Sequence, residues 1–231
     1  MSAPPVCGQA NIMNSADVIE PRLIAHHSLA APRVVAVMAQ MKVRDSGMPE
    51  REYWETLFDV PAILDGLKID GTIASVVEVG CGYGTFTVPV AQRVAGTLHT
   101  FDIESEMVVI TENRLRAAGV DNAIVARRDV IAEGFGIPAG SVDAVLLFNI
   151  LHAENPIELL RVSAELLAAN GRVLAIHWRS DLPTPRGPDL SIRPRPEQIL
   201  AWADETRLLA ARTKSVILRP WHFGLTFTRL Y

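Results

Sequence analysis

The segment Glu78-Val79-Gly80-Cys81-Gly82-Tyr83-Gly84 combines residue types and spacing that could bind a ligand. It follows a short β-branched run and precedes a helical one, so it forms a turn between a strand and a helix. Glycine permits a sharp turn and lets a ligand approach the backbone without meeting a Cβ atom. The following helix offers free N–H groups to a polar or anionic ligand. The segment predicts a nucleotide-type site, although three glycines can also serve a tight turn alone.

The spacing of these glycines separates two classes of nucleotide site. Dinucleotide-binding folds use G-x-G-x-x-G, whereas the pattern here is G-x-G-x-G, with Thr85 in place of the last glycine. An acidic residue, Glu78, lies two positions before the first glycine. This arrangement resembles motif I of the class I S-adenosylmethionine (SAM)-dependent methyltransferases, whose loop passes close to the methionine part of the cofactor.

Three further segments follow in the order typical of that family. Asp102 ends the second predicted strand and resembles the acidic residue that accepts hydrogen bonds from both ribose hydroxyls, which a carboxylate can do. Asp129-Val130 resembles the place where the adenine edge is recognised, and Phe148–His152 resembles the exit of the fourth strand. The resemblance implies ten cofactor-binding residues: Glu78, Gly80, Cys81, Gly82, Gly84, Asp102, Ile103, Asp129, Val130 and Asn149. Taken alone, Asp102 would suit a helix cap or the ribose of NAD equally well.

Methyl transfer from a sulfonium displaces an activated group, so the protein mainly supplies alignment, a dry pocket and, for some acceptors, a base. The acceptor is expected over the carboxyl ends of strands four and five. His152 is the first candidate for a base and His177 the second, although a histidine after a strand commonly has a structural role. A metal site formed with Glu154 and Asp181 would lack a ligand-spacing signature, so no metal is predicted.

Three residues are predicted to contact the acceptor: Trp54, Trp178 and Arg186. Arg186 lies in a Pro/Arg-rich loop, residues 180–196, and four arginines are concentrated in or beside it: Arg179, Arg186, Arg193 and Arg195. Guanidinium groups bind carboxylates and phosphates bidentately, so the loop could hold an anionic acceptor. It could equally be a rigid surface loop whose arginines pair with nearby carboxylates, and Trp54 could simply dock its helix.

Alternating strands and helices must position these residues. Strands are predicted at 75–80, 97–102, 123–128, 142–148, 172–178, 215–219 and 223–230. Only three residues separate the last two, so these strands must be antiparallel. We predict an α/β, Rossmann-like, doubly wound and mostly parallel seven-stranded sheet with a C-terminal antiparallel pair. A helix is predicted to begin at Asn155-Pro156-Ile157-Glu158, as a capping box, and to end at Asn170-Gly171.

The chain divides into three predicted regions. Residues 1–28 are polar and irregular and are predicted to form a loose tail. Residues 29–70 are predicted to form a helical lid, with helices around 34–41, 50–58 and 61–67. Residues 71–231 are predicted to form the SAM-binding methyltransferase domain.

Composition excludes several classes of protein. Of the 231 residues, 49% are hydrophobic and 21% are charged, which is sufficient for a packed core. The net charge of −4 argues against the broad basic face that a nucleic-acid partner requires. No apolar run approaches the roughly 20 residues that span a bilayer, so no membrane partner is expected. Two cysteines form no disulfide framework, which favours a cytoplasmic location.

These observations together predict an enzyme, a SAM-dependent methyltransferase acting on a small organic molecule. An NAD(P)-dependent oxidoreductase is the first alternative, disfavoured by the glycine spacing and because none of the tyrosines, at 53, 83 and 231, begins a Tyr-x-x-x-Lys pair. A SAM-binding but catalytically silent subunit is the second alternative. The sequence specifies neither the acceptor nor the oligomeric state.

Overall fold

The computed structural model describes residues 48–212 and 214–230, which form an eight-stranded mixed sheet covered by helices. The strands are β1 Ser75–Val79, β2 Thr97–Asp102, β3 Ala123–Arg127, β4 Val142–Phe148, β5 Leu167–Trp178, β6 Leu209–Ala211, β7 Val216–Leu218 and β8 His222–Arg229. The α-helices are α1 Arg51–Glu55, α2 Val60–Gly66, α3 Thr87–Arg93, α4 Ser105–Ala117, α5 Val130–Glu133, α6 Pro156–Leu166 and α7 Pro196–Glu205. A 3-10 turn lies at Leu190–Ile192.

The strand order is β3-β2-β1-β4-β5-β8-β6, with β7 also paired to β8. The first five strands run parallel, and β8 returns antiparallel to β5. The chain builds the sheet outward from β1 in one direction and from β4 in the other. Ligands of open α/β sheets bind at the carboxyl ends of the strands where the order reverses. The crevice is therefore expected above β1 and β4.

Burial follows the position of each strand in the sheet. Six of the seven residues of β4 are buried, as expected for a central strand covered by helices on both faces. One face of the sheet packs against α1, α2 and α3, with Leu64, Val76 and Phe86 in the same apolar cluster. The other face packs against α6 and α7 through residues such as Leu160 and Ile199. The predicted α/β class is confirmed.

The region before β1 shares the core of the sheet. The side chains of Trp54, Leu57 and Leu64, in or next to α1 and α2, are buried in the same cluster as Val76 of β1. The predicted tail and the predicted helix at 34–41 lie outside the described residues. The division of the chain into tail, lid and methyltransferase domain stays a prediction.

The prediction of seven strands was wrong by one. The sequence pattern predicted a helix to about Leu209, but α7 ends at Glu205 and Leu209–Ala211 forms β6. Arg207 adopts a positive φ of 57°, which breaks the helix. Residues of β6 then pair antiparallel with Phe227–Arg229 of β8. The antiparallel pairing of the last two predicted strands, β7 and β8, is confirmed.

The end predicted for α6 was also wrong. The helix stops at Leu166, and Asn170-Gly171 lies inside β5. Asn170 has a φ of 72°, and the register between β4 and β5 shifts beside it. A left-handed Asn before Gly is typical of a helix end, but it serves equally well in a strand irregularity.

The predicted capping box of α6 does not form, although the helix starts at the predicted residue. Asn155 is the N-cap residue, but its side chain makes no capping hydrogen bond. Glu158 pairs with Arg161 at 2.6 Å instead of turning back to the cap. The helix therefore begins where the sequence predicted, without the reciprocal hydrogen bonds.

The outer edge of β8 is covered by two short strands placed end to end. β6 pairs with Phe227–Arg229, and β7 pairs with His222–Gly224. Both strands are three residues long. Within the described residues, no helix has the length and apolar character needed to cross a bilayer.

Candidate functional site

The glycine turn lies at the carboxyl end of β1 and is tied to the end of β2. The N–H groups of Gly80 and Cys81 donate to the Phe101 carbonyl at 2.7 and 3.3 Å. Gly84 has a φ of 73°, a conformation that other residues adopt at a cost. A Cβ atom on Gly84 would also lie 3.1 Å from the Thr111 hydroxyl. The conformation of the turn is therefore held by contacts within the protein.

Asp102 connects this turn with the loop after β2. One carboxylate oxygen accepts from the Gly82 N–H at 3.0 Å, and the other accepts from the Glu104 N–H at 3.0 Å. Each oxygen keeps capacity for a further donor. Asp102 therefore stabilises the turn. Its half-buried side chain lies at the crevice expected above β1 and β4.

Glu78 lies beneath the turn and is buried. Its Oε2 atom accepts from the hydroxyls of Thr87, at 2.6 Å, and Thr100, at 2.7 Å. Burial raises the pKa of this carboxyl group to about 7. Glu78 therefore links β1, β2 and α3, and its direct contact with a cofactor stays a prediction.

The other predicted cofactor residues line the same end of the sheet. Cys81 is buried, and burial, with Asp102 second, raises the pKa of its thiol, which makes it a packing residue. Asp129 caps α5 by accepting from the N–H groups of Ile131 and Ala132 at 3.0 and 3.1 Å. Val130 is buried, and Ile103 is half-buried beside Asp102.

The exit of β4 lies against the glycine turn. A Cβ atom on Gly80 would meet Ile150 Cδ1 at 3.5 Å. Asn149 has a φ of 55°, and its N–H donates to the Ile176 carbonyl at 2.9 Å. Its side-chain oxygen is buried without a hydrogen-bond partner. This acceptor atom, next to a glycine turn, fits a cofactor that carries hydrogen-bond donors.

The structure brings the two base candidates together. His152 and His177 are both buried, and their ring centroids lie 5.6 Å apart. Burial, with His152 second, lowers the pKa of His177 to about 3. His177 is therefore neutral and a weak base at neutral pH. No group of possible metal ligands occurs among the described residues, which include Glu154 and Asp181.

A layer of rings in mainly edge-on or tilted contact, here called the aromatic layer, lies on the opposite face of β5. It consists of Trp54, Phe58, Phe86, Phe148, Trp178 and His222. Trp178 and His222 are opposite each other in the β5–β8 pairing, with ring centroids 4.3 Å apart. Trp54 and Trp178 were predicted from the sequence to contact the acceptor, whereas His222 was not among the candidates. A prediction that β8 pairs with β5 would have placed His222 opposite Trp178.

The arginines of the loop have different roles. Arg179 pairs with Asp181 at 2.6 Å. Arg193 is buried and donates to the carbonyls of Pro188, Arg179 and Arg186 and to the Thr184 hydroxyl. Arg186 is exposed, and its guanidinium lies 5.5 Å from the centroid of the Tyr53 ring. The four arginines therefore do not form one cluster facing a ligand.

Comparisons with known proteins agree with this architecture. Residues 76–171 match the methyltransferase-domain family. Over 109 residues the chain is 31% identical to a ubiquinone biosynthesis O-methyltransferase from Xanthomonas axonopodis pv. citri, covering 46% of this chain. The chain spans 44% of the length of that curated relative.

Solved structures share the fold. A SAM-dependent methyltransferase from Aquifex aeolicus superposes with a TM-score of 0.67 at 18% identity, covering 77% of this chain and 93% of its own. The cyclase SpnF superposes with a TM-score of 0.60 at 14% identity, covering 80% and 84%. The resemblance to class I SAM-dependent methyltransferases seen in the sequence is confirmed: residues 76–171 match a methyltransferase domain, and the described residues share the fold of SAM-dependent methyltransferases.

Proposed function

We propose that this protein transfers the methyl group of SAM to a small organic acceptor by in-line displacement. The observation that carries the proposal is the Gly80–Gly84 turn joined to Asp102 by the Gly82 N–H, inside a segment that matches a methyltransferase domain. The relationship to an O-methyltransferase supports a small-molecule acceptor. A cytoplasmic location belongs to the same proposal, supported by the presence of only two cysteines.

The residues at the carboxyl ends of β1, β2 and β4 suit the parts of SAM. Asp102 would accept from the ribose hydroxyls with the lone pairs that Gly82 and Glu104 leave unused. The buried Asn149 Oδ1 would accept from the amino group of the methionine part. Asp129 and Val130 would meet the adenine, with Ile103 packed against it. SAM, when bound, supplies a methyl group on a positively charged sulfur atom.

The chain contributes alignment and exclusion of water more than acid–base chemistry. The aromatic layer adjoins the turn through Phe86 and the β4 exit through Phe148, so it shields this side of the crevice from water. His177, with a pKa of about 3, accepts a proton weakly. Any base role belongs to His152, and we expect it to be small. Trp54, Trp178 and Arg186 are proposed on the acceptor side.

Titration calorimetry with S-adenosylhomocysteine tests the cofactor assignment, with NAD and NADP as comparison ligands. Asp102→Ala should weaken binding of S-adenosylhomocysteine at least about tenfold, because it removes the carboxylate proposed to accept from both ribose hydroxyls. Asp143→Ala is the matched control. Asp143 also accepts two backbone N–H groups, at 2.9 Å each from Ala74 and Ser75, but at the amino end of β1. Binding of a nicotinamide cofactor in place of S-adenosylhomocysteine would overturn the proposal.

Turnover requires a second measurement, because the cyclase shows that this fold occurs in proteins with another activity. The purified protein is incubated with SAM carrying a labelled methyl group and a panel of small acceptors. Labelled product that depends on Asp102 is the expected result. Tight binding of S-adenosylhomocysteine without transfer to any acceptor would favour a catalytically silent SAM-binding subunit.

A further inference from the structure

Gly82, the middle glycine of the turn, faces a side chain that precedes α1. A Cβ atom on Gly82 would lie 3.7 Å from Sδ and 4.0 Å from Cε of Met48. The Met48 side chain is half-buried and packs against the apolar cluster on this face of the sheet. The N–H of the same glycine donates to Asp102 at 3.0 Å. Met48 therefore borders the glycine that holds the carboxylate proposed to bind the ribose.

The backbone next to Met48 is attached to the turn by the turn's own tyrosine. The Tyr83 hydroxyl donates to the Pro49 carbonyl at 3.1 Å. Burial, with the charge of Glu50 second, raises the pKa of this hydroxyl, so it keeps its proton and remains a donor at neutral pH. A side chain of the glycine turn thus fixes the residue that directly follows Met48.

Arg114 of α4 attaches the same region a second time. Its Nη1 atom donates to the Tyr83 carbonyl at 2.6 Å and lies 2.5 Å from Oε1 of Glu55 in α1. Both side chains of this ion pair are partly shielded from water, so salt screens it less than a fully exposed pair. Thr111, one turn earlier in α4, donates to the Gly82 carbonyl at 3.0 Å. One face of α4 therefore holds both the glycine turn and α1.

These polar contacts add orientation to a helix that is already anchored. Trp54 of α1 is buried in the apolar cluster and attaches the helix to the sheet. The contacts of Tyr83 and Arg114 in addition set where the residues before and within α1 lie relative to the turn. Methionine has a polarizable thioether and an unbranched, adaptable side chain, which can fit closely against a ligand. A ligand held at Gly82 therefore meets a side chain that adapts to its shape.

We infer that Met48 forms one wall of the cofactor site and that its thioether contacts the cofactor bound at Asp102. Tyr83 and Arg114 are positioning residues that hold Met48 there through the backbone of Pro49 and through α1. This inference rests on the proposed function. It extends the cofactor site to a segment that lies ahead of residues 76–171, the part that matches a methyltransferase domain.

Methyl NMR of the unmodified protein tests the contact. The methionine methyl groups are labelled with carbon-13, and the Met48 signal is assigned by its loss in Met48→Leu. The protein is titrated with S-adenosylhomocysteine, with NAD as the comparison ligand. We expect a saturable shift of the Met48 signal with S-adenosylhomocysteine, at the affinity that calorimetry gives, and no shift with NAD.

Truncation of Met48 tests whether the contact contributes to binding. Met48→Ala should weaken binding of S-adenosylhomocysteine about fivefold, because apolar contact area is lost. Met48→Leu keeps most of this area and should stay within about twofold. Ile217→Ala is the control, since it removes the same number of side-chain atoms from an exposed position on β7, at the edge of the sheet. Affinity in this control should not change.

Two variants test the positioning residues. Tyr83→Phe removes only the hydroxyl, and Glu55→Gln removes the charge that pairs with Arg114. Each should shift the Met48 methyl signal of the free protein and weaken binding of S-adenosylhomocysteine about threefold. The matched controls, Tyr53→Phe and Glu52→Gln, carry the same changes at exposed positions of α1 and should do neither.

A double variant separates positioning from a general structural role. If the Tyr83 hydroxyl acts through Met48, Tyr83→Phe should weaken binding no further once Met48→Ala is present. Additive losses in the double variant would contradict the positioning role.

Other results would overturn the inference as a whole. These are a Met48 signal that does not respond to saturating S-adenosylhomocysteine, or unchanged affinity in Met48→Ala. Tighter binding in Met48→Ala would also overturn it, because the side chain would then occupy the place of the cofactor. Failure of the unmodified protein to bind S-adenosylhomocysteine would instead contradict the proposed function, and calorimetry detects it before any variant is made.

Discussion

The carboxyl ends of β1 and β2 differ from those of β5 and the facing end of β8. At β1 and β2, Glu78 and Asp102 each accept two hydrogen bonds from neighbouring groups. At β5 and β8, His177, Trp178 and His222 carry ring nitrogens that are buried without a partner among the described residues. In the first region the described residues supply partners for both carboxylates, whereas in the second they leave these ring nitrogens unpaired.

This difference follows from how each region is built. On the cofactor side, at the carboxyl ends of β1 and β2, Asp102 accepts from backbone N–H groups and Glu78 accepts from two threonine hydroxyls, all from adjacent elements. The proposed acceptor side, at the carboxyl end of β5 and the facing end of β8, is formed by side chains from α1, β5 and β8, which are far apart in sequence. The cofactor side suits one ligand that many proteins of this fold would share. On the proposed acceptor side, substitutions can change the ligand that fits without altering the sheet.

Arg193→Met should give the largest effect and acts on the acceptor side alone. Its guanidinium makes three hydrogen bonds to the 180–196 loop and one to the Arg179 carbonyl, so we expect a loss of about 3 kcal/mol of unfolding free energy. Urea denaturation measures this loss, and limited proteolysis should cut the 180–196 loop faster. Affinity for S-adenosylhomocysteine should not change. Arg195→Met is the control, since Arg195 is exposed; equal losses in both variants would contradict the assignment.

Gly84→Ala should affect the cofactor side alone. Its φ is 73°, and the new Cβ would press on Thr111, whose hydroxyl donates to the Gly82 carbonyl. We expect about 2 kcal/mol of destabilisation and roughly tenfold weaker binding of S-adenosylhomocysteine by calorimetry. Gly140→Ala has the same backbone cost, at a φ of 69°, with no atom within 4 Å of the new Cβ. An unchanged affinity in Gly84→Ala would show that the turn tolerates displacement.

The two regions should respond to pH in opposite directions. Burial lowers the pKa of His177 and His222 from 6.5 to about 3, so the unfolded chain binds these protons first. Their contribution to stability is present above pH 6.5 and is lost as pH falls towards 3. Glu78, with a pKa raised from 4.5 to about 7, contributes stability that is lost as pH rises through this range.

Between about pH 5 and 6.5, the two histidines therefore make the free energy of unfolding rise with pH, whereas Glu78 makes it fall. Each group contributes a slope of up to about 1.4 kcal/mol per pH unit. Urea denaturation at both pH values should show stability rising with pH in the unmodified protein. In His177→Phe with His222→Phe this slope should vanish or reverse. An unaltered slope in the double variant would mean that neither histidine is kept neutral by burial.

Two helix-cap variants should give the smallest effects. Asp129→Ala removes the cap of α5 on the cofactor side and should cost about 1 kcal/mol. Asn155→Ala, at the start of α6 beyond β4, should cost less than about 0.5 kcal/mol because its side chain makes no capping bond. Thermal denaturation compares the two. A larger loss for Asn155→Ala would reveal a role for its side chain outside the helix cap.

The features that were predicted well are those determined by residues close together in the sequence. The bounds of β2 and β4 were predicted to the residue, because each strand is a short apolar or β-branched run between clear breaks. The position of Asp102 next to the glycine turn follows from the same strand–turn–helix pattern. The hydrogen bond from the Gly82 N–H then places the carboxylate at the turn.

What the sequence did not predict depends on contacts between distant residues. His222 acquires its place only through the pairing of β8 with β5. Arg193 was read as one of four similar arginines, and nothing in the loop indicated that it alone would be buried. Asn170-Gly171 was predicted to end a helix, because a left-handed residue before glycine has the same sequence signature in both settings.

The paired short strands along β8 have a consequence for association between molecules. A long unpaired edge can take up a strand from another chain and so begin aggregation. Here that edge is divided between β6 and β7, which are three residues each. Their length limits any added strand to a few hydrogen bonds, even though Val216 and Ile217 are exposed. Joining β6 and β7 into one continuous strand by redesign should therefore raise the tendency to form intermolecular sheets.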